Sequence, residues 1–139
     1  MGKLENVPGF RTVVGALLIK DNAVLFVRRS KNNFMGGIYE LPSGKVEKNE
    51  NNVSALIREV KEEVGLEVTG DLKPVHEFIY TSQSGKNTKQ ITYQCTFNKS
   101  SDVTLSEEHD HYVWVPLSDI DNVDFLDEKM KEIAKSVVV

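Results

Sequence analysis

The chain has 139 residues, of which 40% are apolar and 27% are charged, and its net charge is −4. This size predicts one compact domain over residues 1–139, and the acidic balance argues against binding of extended nucleic acid, because the average field repels polyanions. No apolar run near the N-terminus approaches the roughly 20 residues of a membrane-spanning helix, and residues 1–10 lack the pattern of a secretory signal. We therefore expect a cytoplasmic protein with no membrane partner.

Apolar and alternating runs predict several strands that are separated by turn-forming residues. The predicted strands are residues 11–20, 24–29, 38–41, 66–69, 73–81, 90–97 and 112–115. The first two are expected to form a hairpin around Asp21-Asn22, and the breaker cluster at residues 42–44 is expected to stop the third. Residues 83–89 predict a mobile polar connection between two later strands.

Residues 51–64 have the period of an amphipathic helix, with Asn51 as its cap and Gly65 at its end. The apolar residues expected to form its buried stripe are Val53, Leu56, Ile57, Val60 and Val64. Residues 123–137 predict a second amphipathic helix, whose apolar side is Phe125, Leu126, Met130, Ile133 and Val137. Several strands and two separated helices predict a sheet that is covered on its faces.

Three glutamates, Glu59, Glu62 and Glu63, are neighbours on one side of the first predicted helix. Like charges at these spacings destabilise a helix by about 0.2 to 0.5 kcal/mol each, so the cluster requires a compensating interaction. A hard divalent cation would supply it, and Mg²⁺ bound by carboxylates commonly shares its remaining positions with phosphate oxygens. The alternative is a solvated acidic face that nearby Lys or Arg side chains neutralise.

The stretch from Gly44 to Leu66 contains a longer pattern, G-x5-E-x7-R-E-U-x-E-E-x-G-U, in which U is a bulky aliphatic residue. Its positions are filled by Gly44, Glu50, Arg58, Glu59, Val60, Glu62, Glu63, Gly65 and Leu66. The chain resembles the Nudix hydrolase family in these 23 residues. The resemblance implies an α/β (α+β) fold, an αβα sandwich with a mixed central β-sheet.

The resemblance also implies roles for the residues of the motif. Glu59, Glu62 and Glu63 would hold Mg²⁺, with Mn²⁺ as a possible substitute, and the backbone carbonyl of Ser43 would join them. Arg58 would orient a carboxylate such as Glu50 by paired hydrogen bonds. The alternative for Arg58 is a surface ion pair with Glu62, four residues further along the helix.

Other residues are candidates for proton transfer and substrate binding. Relatives use either a helix glutamate or a downstream one as the base, and Glu107 and Glu108 are the downstream candidates here, with an exposed loop as the alternative. The candidates for substrate binding are Arg28, Arg29 and Lys45 for phosphates, and Tyr39 and Phe34 for a base. A zinc site at His109 and His111 is disfavoured, because few further ligands are available.

The expected reaction is Mg²⁺-dependent hydrolysis of a phosphoanhydride bond in a small nucleotide-type substrate. The short chain favours a nucleoside triphosphate, whereas Glu40-Leu41-Pro42 favours an ADP-ribose-type substrate, and both stay open. The main alternative is a non-catalytic domain that binds a nucleotide as a sensor. An isomerase would need a further acid and base, for which the single cysteine, Cys95, is thin support. The sequence does not predict the oligomeric state.

Overall fold

The computed structural model describes residues 10–32 and 35–138. The strands are β1 (Phe10–Lys20), β2 (Ala23–Arg29), β3 (Tyr39–Glu40), β4 (Ser43–Lys45), β5 (Val68–Thr81), β6 (Asn87–Phe97) and β7 (His109–Pro116). The helices are α1 (Asn52–Val64) and α2 (Glu128–Ala134), and a 3₁₀ segment spans Leu117–Asn122. Neither α-helix of the described chain has the length and apolar character needed to cross a membrane.

The sheet divides into two branches because β1 and β2 separate a short distance from the turn that joins them. β1 and β2 pair only next to their turn, at Ile19↔Val24 and Lys20↔Ala23. Further from the turn, β1 pairs with β4 and, in parallel, with β6, whereas β2 pairs with β3 and β7. β5 lies beyond β6 at the edge of the sheet. Because one pair is parallel and the others are antiparallel, the expected mixed sheet is confirmed.

Each face of the sheet carries its own hydrophobic core. Ala16 and Leu18 of β1 pack in the core that contains Leu56 of α1. Leu17, the residue between them, packs in the core that contains Ile133 of α2. Successive side chains of a strand point to opposite faces, so one strand supplies both cores. The expected αβα sandwich is therefore confirmed.

Helix α1 begins and ends as its sequence predicts, but its buried face is different. The Asn51 side chain accepts a hydrogen bond from the Ser54 amide, and Gly65 ends the helix with φ 70°. Val53 and Ile57 are 43% and 42% exposed, so their assignment to the buried stripe is wrong. Glu63 is buried instead, because the helix is rotated to place its glutamate side against the sheet.

Several predicted bounds also differ. β5 is one strand where two were predicted, at 66–69 and 73–81, because an irregularity in its pairing with β6 between Thr69 and Leu72 absorbs the residues between them. Ser43–Lys45 forms a short strand on β1 where the breaker cluster predicted a stop. The connection predicted at 83–89 is shorter, since β6 begins at Asn87. α2 begins only at Glu128, where the Asp127 side chain caps it.

Candidate active site

The buried carboxylate of Glu63 lies beside Ser43 of β4, the residue before the first glycine of the motif. One of its oxygens, Oε1, accepts a hydrogen bond from the Ser43 amide at 3.1 Å. The side chain sits on the last turn of α1, against the sheet, and the residue is only 6% exposed. Burial disfavours the charged form and raises the pKa of Glu63 to about 9. The protein thus holds a carboxyl group that needs either a proton or a cation.

Glu59, one helical turn earlier, lies against the backbone of Gly44. A Cβ atom on residue 44 would overlap the Glu59 carboxylate, so only glycine leaves room for this side chain. Burial raises the pKa of Glu59 to about 7, and the neighbouring Glu62 adds to the shift, although Arg58 opposes it. The first glycine of the motif is therefore explained by a close approach of two elements.

Arg58 connects the motif loop to the helix. Its Nε and Nη2 atoms donate to the two Glu50 oxygens at 2.8 and 3.0 Å, and Nη2 also donates to the Lys45 carbonyl at 3.1 Å. Nη1 donates to Glu62 Oε1 at 3.1 Å, so Arg58 makes the orienting contact and the surface ion pair together. The hydrogen bonds from Arg58, and one from the Glu47 amide, lower the pKa of Glu50 to about 2.

The lowered pKa of Glu50 predicts how the free energy of unfolding changes in acid. A carboxyl group with a depressed pKa stabilises the fold above its ordinary pKa of 4.5, and that contribution is lost as the pH falls towards 2. We expect the free energy of unfolding of Glu50→Gln to fall less than that of the native chain between these two pH values. Urea denaturation across this range measures the difference, with Glu67→Gln at an exposed position as the control. Parallel curves for Glu50→Gln and the native chain would contradict the assignment.

A cavity of about 330 Å³ opens beside Glu59 and Glu63, where the two branches of the sheet diverge. Its lining residues are Arg11, Val13, Arg29, Glu40, Ser43, Gly44, Lys45, Glu59, Glu63 and Glu108. It therefore brings together six of the predicted site residues, Arg29, Ser43, Lys45, Glu59, Glu63 and Glu108.

Arg11 and Glu40 line the same cavity and were missed as site residues from the sequence. Glu40 lies opposite Val27, whose side chain packs in the core under α1, so strand alternation could have placed Glu40 on that face. Its Oε2 atom lies 3.3 Å from Arg29 Nη1 and 3.0 Å from His109 Nε2. No local motif marks Arg11, which precedes Val13 by two residues on β1.

Six predicted residues do not line this cavity: Glu50 and Arg58, which pair with each other, and Glu62, Glu107, Arg28 and Tyr39. Glu62 is 58% exposed in its side chain and contacts Arg58 at the outer edge of α1. The Glu107 carbonyl accepts a hydrogen bond from the Ser30 hydroxyl. Arg28 pairs with Asp110 at 2.7 Å and lies over the ring of Tyr39, whose ring also packs on Phe125. Phe34, the other candidate for contacting a base, lies outside the described residues.

The division between Arg28 and Arg29 follows from strand geometry. Neighbouring residues of a strand face opposite sides, so Arg29 reaches the cavity while Arg28 and its partner Tyr39 lie towards the α2 face. The two histidines divide in the same way, because His109 contacts Glu40 whereas His111 contacts the Tyr39 ring. Over residues 10–32 and 35–138, no three histidine, cysteine or carboxylate side chains converge closely enough to hold an ion as they stand.

Comparison with known proteins agrees with this architecture. The NUDIX domain model matches residues 9–137. The chain is 31% identical to CTP pyrophosphohydrolase of Escherichia coli over 103 residues, which cover 73% of each protein. It is 44% identical to 8-oxo-dGTP diphosphatase of Proteus vulgaris over 55 residues, 40% of this chain and 49% of that enzyme, so this match spans about half of the relative.

Solved structures show the same likeness. The crystal structure of a MutT protein from Methanosarcina mazei Go1 has a TM-score of 0.77 and 28% sequence identity, with 91% of each chain covered. The family model spans nearly the whole chain, and two of the motif glutamates, Glu59 and Glu63, lie beside a cavity on the predicted helix. This chain belongs to the NUDIX domain family.

Proposed function

We propose that this chain hydrolyses a phosphoanhydride bond of a nucleoside triphosphate, with Mg²⁺ as its metal ion. The observation that carries this proposal is the pair of glutamates at the cavity, Glu59 and Glu63. Burial raises the pKa of both, to about 7 and about 9, even though Arg58 lies 3.6 Å from Glu59 and the Ser43 amide donates to Glu63, so these contacts do not offset the cost of burying the two charges. A bound cation would reverse this penalty.

The chemistry of these donors fits a hard divalent ion. Glu59 and Glu63 offer carboxylate oxygens on successive turns of α1, and the Ser43 carbonyl belongs to the residue whose amide already donates to Glu63. Glu62 would join them after its side chain rotates away from Arg58. Oxygen ligands suit Mg²⁺, and Mn²⁺ is the natural substitute. When bound, the ion would neutralise phosphate charge and lower the pKa of coordinated water.

The other residues of the cavity have roles that follow from their charge. Arg29, Lys45 and Arg11 provide cations for phosphate oxygens beside the carboxylates. Glu108 lines the cavity and Glu107 does not, so Glu108 is the downstream carboxylate that we propose as proton acceptor. Arg58 keeps the motif loop on the helix through Glu50 and the Lys45 carbonyl, and acts as a positioning residue.

The two relatives described above support the choice of substrate class. Their names refer to CTP and to 8-oxo-dGTP, both of which are nucleoside triphosphates. A triphosphate also agrees with the net charge of −4, because a small ligand needs only local cations, whereas an extended nucleic acid would meet the repulsion of the whole chain.

The test is turnover of a nucleotide panel that includes CTP, 8-oxo-dGTP and ADP-ribose, with Mg²⁺ present. We expect Glu59→Gln and Glu63→Gln to lower turnover by at least about 10²-fold, because each removes charge that the reaction requires. Glu128→Gln is the matched control, since its side chain is 95% exposed on α2. Undiminished turnover in both cavity variants would reject the site. Binding without turnover in the native chain would support a sensor instead.

A further inference from the structure

A second cavity, which we call the basic cavity, adjoins the one that holds the glutamates. It has a volume of about 390 Å³ and is lined by Phe10, Arg11, Lys45 and Lys86. Arg11 and Lys45 line both cavities, so the two spaces meet across these side chains. The first space contains four glutamates, whereas the second is lined by three cationic residues and a phenylalanine.

The sheet brings these residues together from three separate parts of the chain. Lys86 directly precedes β6, whose first residue, Asn87, pairs with Phe10 at the start of β1. Lys45 lies on β4 opposite Val13 of β1, and Arg11 precedes Val13 by two residues on the same face. The cations are therefore held by paired strands, with Lys86 at the end of the turn that joins β5 to β6.

None of these three cations forms an ion pair with a described residue. Within residues 10–32 and 35–138, no carboxylate lies within ion-pairing distance of Arg11, Lys45 or Lys86. The Arg11 Nε atom is buried and has no hydrogen-bond partner there. A buried donor without a partner is unfavourable, so an anion that accepts from Arg11 would relieve it. Three cations side by side also repel one another, and a multiply charged anion would reverse this repulsion.

We propose that the basic cavity binds the terminal phosphate of the substrate, while the phosphoanhydride to be broken lies over Glu59 and Glu63. This inference rests on the proposed hydrolysis and adds a basis for selecting substrates. A terminal phosphate carries about 1.5 to 2 negative charges near pH 7, which matches a cluster of Arg and Lys donors. ADP-ribose has no terminal phosphate, so the site favours nucleoside triphosphates over ADP-ribose-type substrates.

The first test compares these two substrate classes in variants of the basic cavity. For a nucleoside triphosphate, we expect Lys86→Gln and Arg11→Gln each to raise KM by about fivefold or more, since each removes a charged hydrogen-bond donor. With ADP-ribose, Lys86→Gln should leave KM within about twofold of native, because Lys86 lines the basic cavity and not the cavity that holds the glutamates. Lys99→Gln is the matched control, because Lys99 is exposed beyond the opposite end of β6.

The second test does not require catalysis. Calorimetric titration with inorganic tripolyphosphate, without metal, should show binding to the native chain and at least about tenfold weaker binding to the Arg11→Gln/Lys86→Gln double variant. Equal affinities in the two proteins, or equal effects on both substrates in the first test, would overturn the proposal. If the native chain turned over no nucleotide but bound tripolyphosphate through these residues, the basic cavity would stand and the proposed hydrolysis would fail.

Discussion

Replacing Glu63 with glutamine is expected to stabilise the metal-free protein at pH 8 while it removes most of the activity. Glutamine keeps an oxygen that can accept the hydrogen bond from the Ser43 amide, but it carries no charge into this buried position. The expected gain in the free energy of unfolding is about 1 to 3 kcal/mol, with turnover lowered by at least about 10²-fold. An exposed glutamate would show neither effect.

The raised pKa of Glu63 also predicts how the stability of the metal-free chain changes with pH. The pKa of Glu63 is raised from 4.5 to about 9 in the folded chain, so the folded state holds a proton that the unfolded state has already released. The metal-free native chain should therefore lose stability as the pH rises from 4.5 towards 9. The decline in stability should be smaller in Glu63→Gln. Added Mg²⁺ should oppose the decline in the native chain but have no such effect in Glu63→Gln.

Urea denaturation at several pH values, with a chelator and then with Mg²⁺, measures both effects. Glu128→Gln, at an exposed position of α2, should follow the native curve throughout. If Glu63→Gln were less stable than the native chain at pH 8 without metal, the Glu63 carboxylate would be stabilised by a partner within the protein. The conclusion that its burial is unfavourable without a metal ion would then be wrong.

The Gly44→Ala substitution is expected to lower turnover by at least about 10²-fold, although it adds only one methyl group. That methyl would occupy the space of the Glu59 carboxylate, so Glu59 must take another rotamer and leave its place in the cavity. The clash involves the flexible end of a side chain, so we expect the free energy of unfolding to change by less than about 1.5 kcal/mol.

A double-mutant cycle checks the mechanism of this loss. In the Glu59→Gln background, Gly44→Ala should reduce the remaining turnover far less than it does in the native chain, because the displaced carboxylate is already gone. Gly85→Ala is the comparison, since a Cβ there meets no atom within 4 Å, although its φ of 84° strains any residue with a side chain. Equal losses in both backgrounds would show that Gly44 acts independently of Glu59.

The sequence predicted the elements well where local signals were strong. The cap at Asn51 and the left-handed end at Gly65 bound α1 as expected, because both depend on residues next to the helix. The face that α1 buries was not predicted correctly, since Val53 and Ile57 are half-exposed while Glu63 is buried. Apolar periodicity cannot identify a carboxyl group that the fold buries beside a cavity.

The site residues that the sequence predicted correctly are also those whose position depends on neighbouring residues of the chain. The motif glutamates Glu59 and Glu63 are neighbours in sequence and in the structure, so the pattern was sufficient for them. Arg11 and Glu40 reach the cavity only through strand pairing, which depends on distant residues and on register. Arg28 shows the reverse case, because it neighbours Arg29 in sequence but lies on the opposite side of β2, with Tyr39.

The most direct test of the metal site is a titration with Mn²⁺ followed by electron paramagnetic resonance. The native chain should bind Mn²⁺ in competition with Mg²⁺, and binding should strengthen as the pH rises from 6 to 9 and Glu59 and Glu63 lose their protons, as their raised pKa values of about 7 and about 9 require. The Glu59→Gln/Glu63→Gln double variant should bind at least about 10²-fold more weakly. Equal Mn²⁺ affinity in the two proteins would contradict the assignment of the cation to Glu59 and Glu63.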